Sequence, residues 1–392
     1  MKKYITLFAL CLGQGLSGSV ISLLALTSIL VGKSLAPTEI LTTFPMTMTI
    51  LGAFSMIYYA GLLMKQYGRR RAFIISGFIG ILGAILAIVA LYYQHFILFL
   101  FSTFILGNAT IFNQFYRFAA AEIFSNEIWK KRSTSLVIGS GVIGGILGPF
   151  LAGKGVNFIS NYELMGSFIF IIIIFSLLIF SQLFVFIEKE VPLSNSISLL
   201  NTTHIYRSEN FIIGTLSCTI GFSLMTLIMN SAPLSMHNNH YPVSQNVFAL
   251  QLHFIGMYAP ALFIPFLIEK IKTATLILFG SLCFIVGSIS IFLLSPQHGY
   301  IISLFFAGIG WAFMFSGGTF YLNEIHHSIK HKLQSVSSIF TYSGNLTFSF
   351  LAGFTLAFPN GWQWVNIIVI SISSLFFIYS LIRGNHHLKS YS

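Results

Sequence analysis

Aspartate is absent from this 392-residue chain, and all nine of its acidic residues are glutamates. A cation buried in the fold therefore has few carboxylates to meet. Cysteine is scarce too. Cys11, Cys218 and Cys283 are odd in number and far apart, which suggests neither a disulfide framework nor a zinc site. Charged residues make up 7% of the chain against 56% hydrophobic residues, and the mean hydropathy is +0.86. No soluble globule of this size has that composition.

Long apolar runs fill the chain instead. Twelve of them cover roughly 4–31, 38–64, 71–93, 96–124, 133–154, 164–187, 211–232, 244–268, 273–294, 299–322, 334–357 and 362–382. Each can cross about 30 Å of hydrocarbon as a helix of roughly twenty residues. Helices are the expected spans, since lipid offers no partner to an open strand edge. The first run exceeds the roughly 7–15 residues of a signal peptide's apolar region and leads directly into further spans, so it reads as a retained span.

The formal charge of +11 is a matter of placement. Of twenty Lys and Arg, seventeen lie at the N-terminus (Lys2, Lys3), in the even-numbered gaps, or at the C-terminus (Arg383, Lys389). Lys33 and Lys154 fall on the other side, and Arg117 lies inside a span. The positive-inside rule then puts both termini in the cytoplasm. The basic excess is a topology signal, and no nucleic-acid partner is expected. The longest polar interruption, 188–210, divides the spans six and six. An N-terminal six-helix bundle over 1–187, a cytoplasmic linker over 188–210 and a C-terminal bundle over 211–392 are the expected domains. Such a duplicated bundle places a site near the pseudo-symmetric midplane.

Two segments are more specific. After the second run come Gly61, Leu63, Lys65, Gly68, Arg69, Arg70 and Arg71, and the fifth run carries Gly144, Gly145, Gly148, Pro149, Ala152 and Gly153. The first resembles the loop G-x-L-a-D-r-x-G-r-k between helices 2 and 3 of the major facilitator superfamily. The second resembles the fifth-helix motif of its antiporters, G-x-x-x-G-P-x-x-G-G, with Ala152 for one glycine. The resemblance implies a twelve-helix, all-α membrane protein of two pseudo-symmetric six-helix bundles. It also implies gating roles for Gly61, Lys65, Gly68, Arg69, Arg70, Arg71, Gly144, Gly148 and Pro149. A bacterial inner membrane is the expected location. Lys65 stands where the family has aspartate, which reverses the charge. Thr103 stands about where many drug antiporters have an arginine. The locking function lost at Lys65 is expected to pass to Glu122 or Glu127, paired with Arg69, Arg70 or Arg71.

An ionisable group inside a span is costly and so defaults to a functional candidate. Arg117 is the clearest. Thr103, Thr110, Gln114 and Arg117 recur at helical spacing, with Asn113 beside them, and form one stripe on an unbroken helix. Arginine's rigid donor fork suits a carboxylate or phosphate, so an organic anion is the expected substrate; snorkelling towards the interface is the structural alternative. His253 and Glu122 are the candidate proton carriers, histidine because it titrates near neutrality. A polar stripe of Thr219, Ser223, Thr226 and Asn230, together with Gln14 and Asn345, either lines the cavity or bonds neighbouring helices. Tyr258 and Trp311 are candidate stacking surfaces. Gly13, Gly15 and Gly18 match G-x-G-x-x-G but lie within a span with no preceding strand, so nucleotide binding is not expected.

The expected function is a secondary transporter of a small organic solute, proton-coupled and working by alternating access as a monomer, with no cofactor or metal. The alternatives are an antiporter of neutral or cationic compounds, a sensor on a transporter fold, or a membrane enzyme.

Overall fold

The computed structural model describes residues 2–187, 208–267, 271–324 and 330–389. Helices make up nearly all of it, and no strand occurs among the described residues. The N-terminal bundle contains α1 (Lys2–Leu35), α2 (Phe44–Tyr67), α3 (Arg69–Tyr92), α4 (Phe96–Thr110), α5 (Tyr116–Glu122), α6 (Glu127–Gly139), α7 (Gly141–Gly155) and α8 (Met165–Gln182). The C-terminal bundle contains α9 (Glu209–Asn238), α10 (Val243–Leu267), α11 (Thr273–Leu293), α12 (Pro296–Glu324), α13 (Lys330–Leu356) and α14 (Gly361–Lys389). Two spans are composite. A 3-10 segment, Ile111–Phe115, joins α4 to α5, and α6 and α7 meet at Ser140. The expected linker lies mostly outside the described residues, and α9 starts at Glu209, capped by Ser208, whose Oγ accepts from the Phe211 amide at 3.3 Å.

Among the described residues, ten spans are long and apolar enough to cross a membrane by composition. The other two of the twelve are α10 and α13, of 25 and 27 residues. They have the length but carry more polar residues, among them Gln251 and His253 in one and Ser349 and Asn345 in the other. Burial sorts the spans into inner and outer. The apolar window of α1 is 89% buried and that of α9 is 72% buried, against 33% for α14. Apolar side chains left outside, such as Phe78, Leu82 and Ile85 on α3 and Leu375 and Ile378 on α14, form the belt that lipid would cover.

Small residues set the closest contacts. A Cβ on Gly144 would stand 2.5 Å from the Gly15 carbonyl oxygen, and one on Gly148 would stand 2.3 Å from the Ser19 carbonyl oxygen. The Ser22 hydroxyl donates to the Gly144 carbonyl at 2.7 Å. Gly144 and Gly148 of the antiporter-like motif thus pack against the backbone of α1, while Gly145 and Gly153 face Phe254 and Val247 of α10. Gly15 and Gly18 serve the α1–α7 packing, whereas Gly13 lies against the Tyr116 ring and the Gln182 amide.

The bundles are joined at the end away from the termini by polar and aromatic contacts. There the Thr43 hydroxyl donates to the Ser349 carbonyl at 3.3 Å, Thr47 and Ser349 share a hydroxyl bond at 3.0 Å, and Phe44 meets Phe350 edge to face. Along the sides α7 faces α10, where the Gln251 amide donates to the Ile146 carbonyl at 2.9 Å. α10 runs unbroken through Pro260.

Candidate functional site

The stripe expected on the fourth span does not survive its break. A 3-10 turn advances each residue by about 20° more than an α-helix, so five such residues rotate the remainder of the span by roughly 100°. Thr103 and Thr110 stay buried and donate to the Leu100 and Gly107 carbonyls. Gln14 and Asn113 spend their amides on each other's chain: the Gln14 side chain donates to Asn113 Oδ1, and Asn113 donates to the Gln14 carbonyl, both at 3.1 Å. In this conformation Thr110, Asn113 and the Gln14 amide nitrogen are engaged in packing, while Gln14 Oε1 is buried with no partner among the described residues. Beyond the break, Gln114 and Arg117 are only half-buried.

The seventh-span stripe has a similar fate. Thr226 donates to the Asn345 amide oxygen, and Asn230 donates to the Ser349 hydroxyl at 2.9 Å. Thr226, Asn230 and Asn345 thus bind α9 to α13, while the Thr219 and Ser223 hydroxyls and Asn230 Oδ1 are buried with no partner among the described residues. His253 is fully buried between α10 and α12, with Nδ1 2.7 Å from the Leu304 carbonyl oxygen and Nε2 without a partner among the described residues. Tyr258 covers Gly141, where a Cβ would lie 2.9 Å from its ring, so it seals α10 against the start of α7.

Arg117 is left without an anion. Its guanidinium carbon lies 4.8 Å from the centre of the Phe118 ring, and its Nε is sealed from solvent with no acceptor among the described residues. Among those residues no carboxylate pairs with it. An unpaired buried donor costs about 1–3 kcal/mol, more when charged. Tyr342 and Cys218, both of the C-terminal bundle, are close enough to interact with its charge.

From Tyr342 a strip of aromatic rings runs across the interface. Tyr342 stacks on Phe54 of α2 at 6.0 Å and tilts against Phe222 of α9 at 6.2 Å. Phe222 meets Trp311 and Phe315 of α12 edge-on at 5.7 and 5.8 Å, and those two stack at 5.2 Å. Spacings of this size are normal for favourable ring pairs. All five rings are only half-buried. The indole N–H of Trp311 is enclosed without an acceptor among the described residues. Four helices from both bundles thus bring together an apolar aromatic face with unused donors, the composition expected of a site for a small organic solute. Of the residues singled out in the sequence, Trp311 belongs to this strip. Phe54, Phe222, Phe315 and Tyr342 were missed, because with 42 Phe and 16 Tyr an aromatic position carries no signal.

The loop between α2 and α3 sits at the termini end. Gly68 has φ of +83°, a left-handed conformation that glycine adopts without strain, and its amide closes α2 by donating to the Met64 carbonyl. Arg69 donates to both carboxylate oxygens of Glu122, through Nε at 3.1 Å and through Nη2. Both side chains are about one-fifth exposed. Lys65, Arg70 and Arg71 are exposed, while nothing lies within 4 Å of a Cβ placed on Gly61. The Glu127 side chain lies outside the described residues.

Residues 5–350 match the family model of the Major Facilitator Superfamily. The chain belongs to that superfamily. Among curated superfamily relatives, the riboflavin transporter RfnT of Brucella anthropi is 28% identical over 359 residues, which cover 90% of this chain and 89% of that one. A crystal structure of the nucleoside transporter NupG superposes with a TM-score of 0.73 at 14% identity, covering 97% of this chain and 99% of the other. The human organic anion transporter MFSD10 (TETRAN) gives 0.64 at 13%, covering 96% and 99%. The two structural likenesses establish the superfamily fold. Family, relative and fold are those of membrane transporters, not enzymes.

Proposed function

We propose that the protein is a secondary transporter that carries a planar aromatic organic solute of riboflavin's kind by alternating access. The observation that carries this reading is the strip Phe54, Tyr342, Phe222, Trp311 and Phe315, built from both bundles, with the Trp311 N–H enclosed and unpartnered among the described residues. A ring system inserted there stacks on groups that separate when the bundles rock apart, so it favours the closed arrangement by contacts made only in that state. The resemblance to a riboflavin transporter over nine-tenths of the chain supports the same solute class. Arg117 meets the solute's anionic or acceptor-bearing group.

With both termini in the cytoplasm, the end sealed by Thr43, Thr47 and Ser349 faces outward, and the conformation is closed to the outside. Glu122 is the carboxylate best placed for proton coupling, because protonation would release Arg69. We place the working unit as a monomer, each chain holding one complete site between its bundles.

Riboflavin binding to the purified protein, read by quenching of flavin fluorescence, tests the reading together with riboflavin counterflow in proteoliposomes. Saturable binding and counterflow are expected. Absence of both overturns riboflavin as the solute type.

A further inference from the structure

A second aromatic cluster, separate from the strip, stands at the first turn of α1. Tyr4 meets Phe124 and Trp129 edge to face at 5.9 and 6.0 Å, and those two rings stack at 5.3 Å. Phe124 lies in the turn between α5 and α6, and Trp129 in the first turn of α6. Two cations cover the rings. Lys3 Nζ lies 6.0 Å from the centre of the Phe124 ring, and the Arg132 guanidinium carbon lies 5.6 Å from that of Trp129. Both cations are exposed, and among the described residues neither pairs with a carboxylate. Glu122, two residues before Phe124, is held by Arg69.

The cluster sits at the rim of the membrane. With 34 residues α1 is roughly 50 Å long against about 30 Å of hydrocarbon, so its first turn stands at headgroup depth. The apolar window of α1 is 89% buried, yet Ile5, Phe8 and Leu12 near its start are exposed. At about 100° per residue, these three lie on the face between Gly15, which packs on α7, and Gly13, which packs on Gln182 of α8. That face is turned away from Gln14, whose amide reaches Asn113 of the fourth span. An apolar stripe therefore runs from Tyr4 past Phe8 and Leu12 along the outside of the N-terminal bundle. Acyl chains lying on it would have their head beside Lys3 and Arg132.

We infer that this cluster binds an anionic phospholipid of the leaflet on the side of the termini, with Lys3 and Arg132 flanking its phosphate and Tyr4, Phe124 and Trp129 as the floor. Tyrosine and tryptophan suit headgroup depth because their rings are apolar with a polar edge. The charge arrangement decides which lipid fits. Exposed ring faces alone would also suit the quaternary ammonium of a choline head, but Lys3 and Arg132 already lie over two of them. A zwitterionic head would add a third positive group to two uncompensated ones, whereas a phosphatidylglycerol head brings only negative charge. Each cation at the membrane surface strengthens binding of anionic lipid about fivefold. The site belongs to the N-terminal bundle alone and does not depend on which solute is carried.

The test titrates the full chain, purified and delipidated in a neutral detergent, with phosphatidylglycerol, phosphatidylcholine or inorganic phosphate, and reads the unfolding midpoint. A lipid that binds the folded state raises the midpoint saturably. Phosphatidylglycerol should do so, while phosphatidylcholine and inorganic phosphate should leave the midpoint within about 1 °C. The double variant Lys3→Gln with Arg132→Gln should need about thirtyfold more phosphatidylglycerol for the same shift, equal to about 2 kcal/mol. Lys3→Arg with Arg132→Lys keeps both charges and should bind within about threefold of native, which separates charge from fold. Lys272→Gln with Lys389→Gln removes two cations from the same side of the other bundle and should bind like the native chain. Undiminished binding in the Lys3→Gln, Arg132→Gln variant overturns the inference. So does an equal loss in the Lys272→Gln, Lys389→Gln control, which would mean a diffuse surface charge. An equal response to phosphatidylcholine would mean that the head is not read, and an equal response to inorganic phosphate would mean a free-anion site; either result sinks it. No shift with any of the three in native protein also removes the lipid site.

Discussion

Replacing Gly144 with alanine places a methyl group into a close helix crossing of the N-terminal bundle. The new carbon would lie 2.5 Å from the Gly15 carbonyl oxygen, 2.7 Å from the Ser19 amide nitrogen and 2.8 Å from the Gly18 carbonyl carbon. All three are backbone atoms of α1, so no side-chain rotation relieves the contact. Relaxing them to ordinary separations of about 3.5 Å pushes α1 from α7 by roughly 1 Å. The Ser22-to-Gly144 hydrogen bond, 2.7 Å long, then passes beyond useful length. Overpacking costs about 1–3 kcal/mol and the lost bond about 0.5–1.5, giving about 2–4 kcal/mol in all. Gly61→Ala is the matched control. Nothing lies within 4 Å of its added carbon, and an alanine inside α2 gains about 0.5–1 kcal/mol of helix propensity. The assay is thermal unfolding of both purified variants in the same detergent. Gly144→Ala should melt several degrees below the native protein, and Gly61→Ala should melt at or above it. A Gly144→Ala midpoint within about 1 °C of the Gly61→Ala midpoint would refute the packing argument.

Further outcomes are expected. A double-mutant cycle on Arg69→Gln and Glu122→Gln should give a coupling of about 1–3 kcal/mol, between exposed and buried pairs, because both groups are about one-fifth exposed; a coupling under about 0.3 kcal/mol removes the pair from any locking role. Gly68→Ala should cost about 1–2 kcal/mol of thermal stability from the left-handed backbone at φ +83°, in contrast to Gly61→Ala in the same loop motif; equal melting of the two would contradict it. Reporter fusions at Asn201 and Ser392 should both report cytoplasm, and a signal from the outer side at either position overturns the orientation.

Hydropathy and charge placement were enough to show that the chain crosses a membrane many times with its basic gaps on one side, since burial in lipid is decided residue by residue along a helix. The glycines of the first and fifth runs were visible in the sequence, but that they meet in the tight α1–α7 crossing, where backbones tolerate only small residues, was decided by the fold. Arg117 stood out for the same local reason: a charge inside an apolar run is rare. Which polar groups it shares a site with could not be read that way. Asn113, Thr226, Asn230 and Asn345 look like cavity residues by spacing, yet in this conformation each bonds a partner on another helix that only packing supplies. The short 3-10 segment that rotates Arg117 away from Thr103 has no periodic signature. The aromatic strip joins α2, α9, α12 and α13, residues as distant as Phe54 and Tyr342, so its existence was decided by how the two bundles meet.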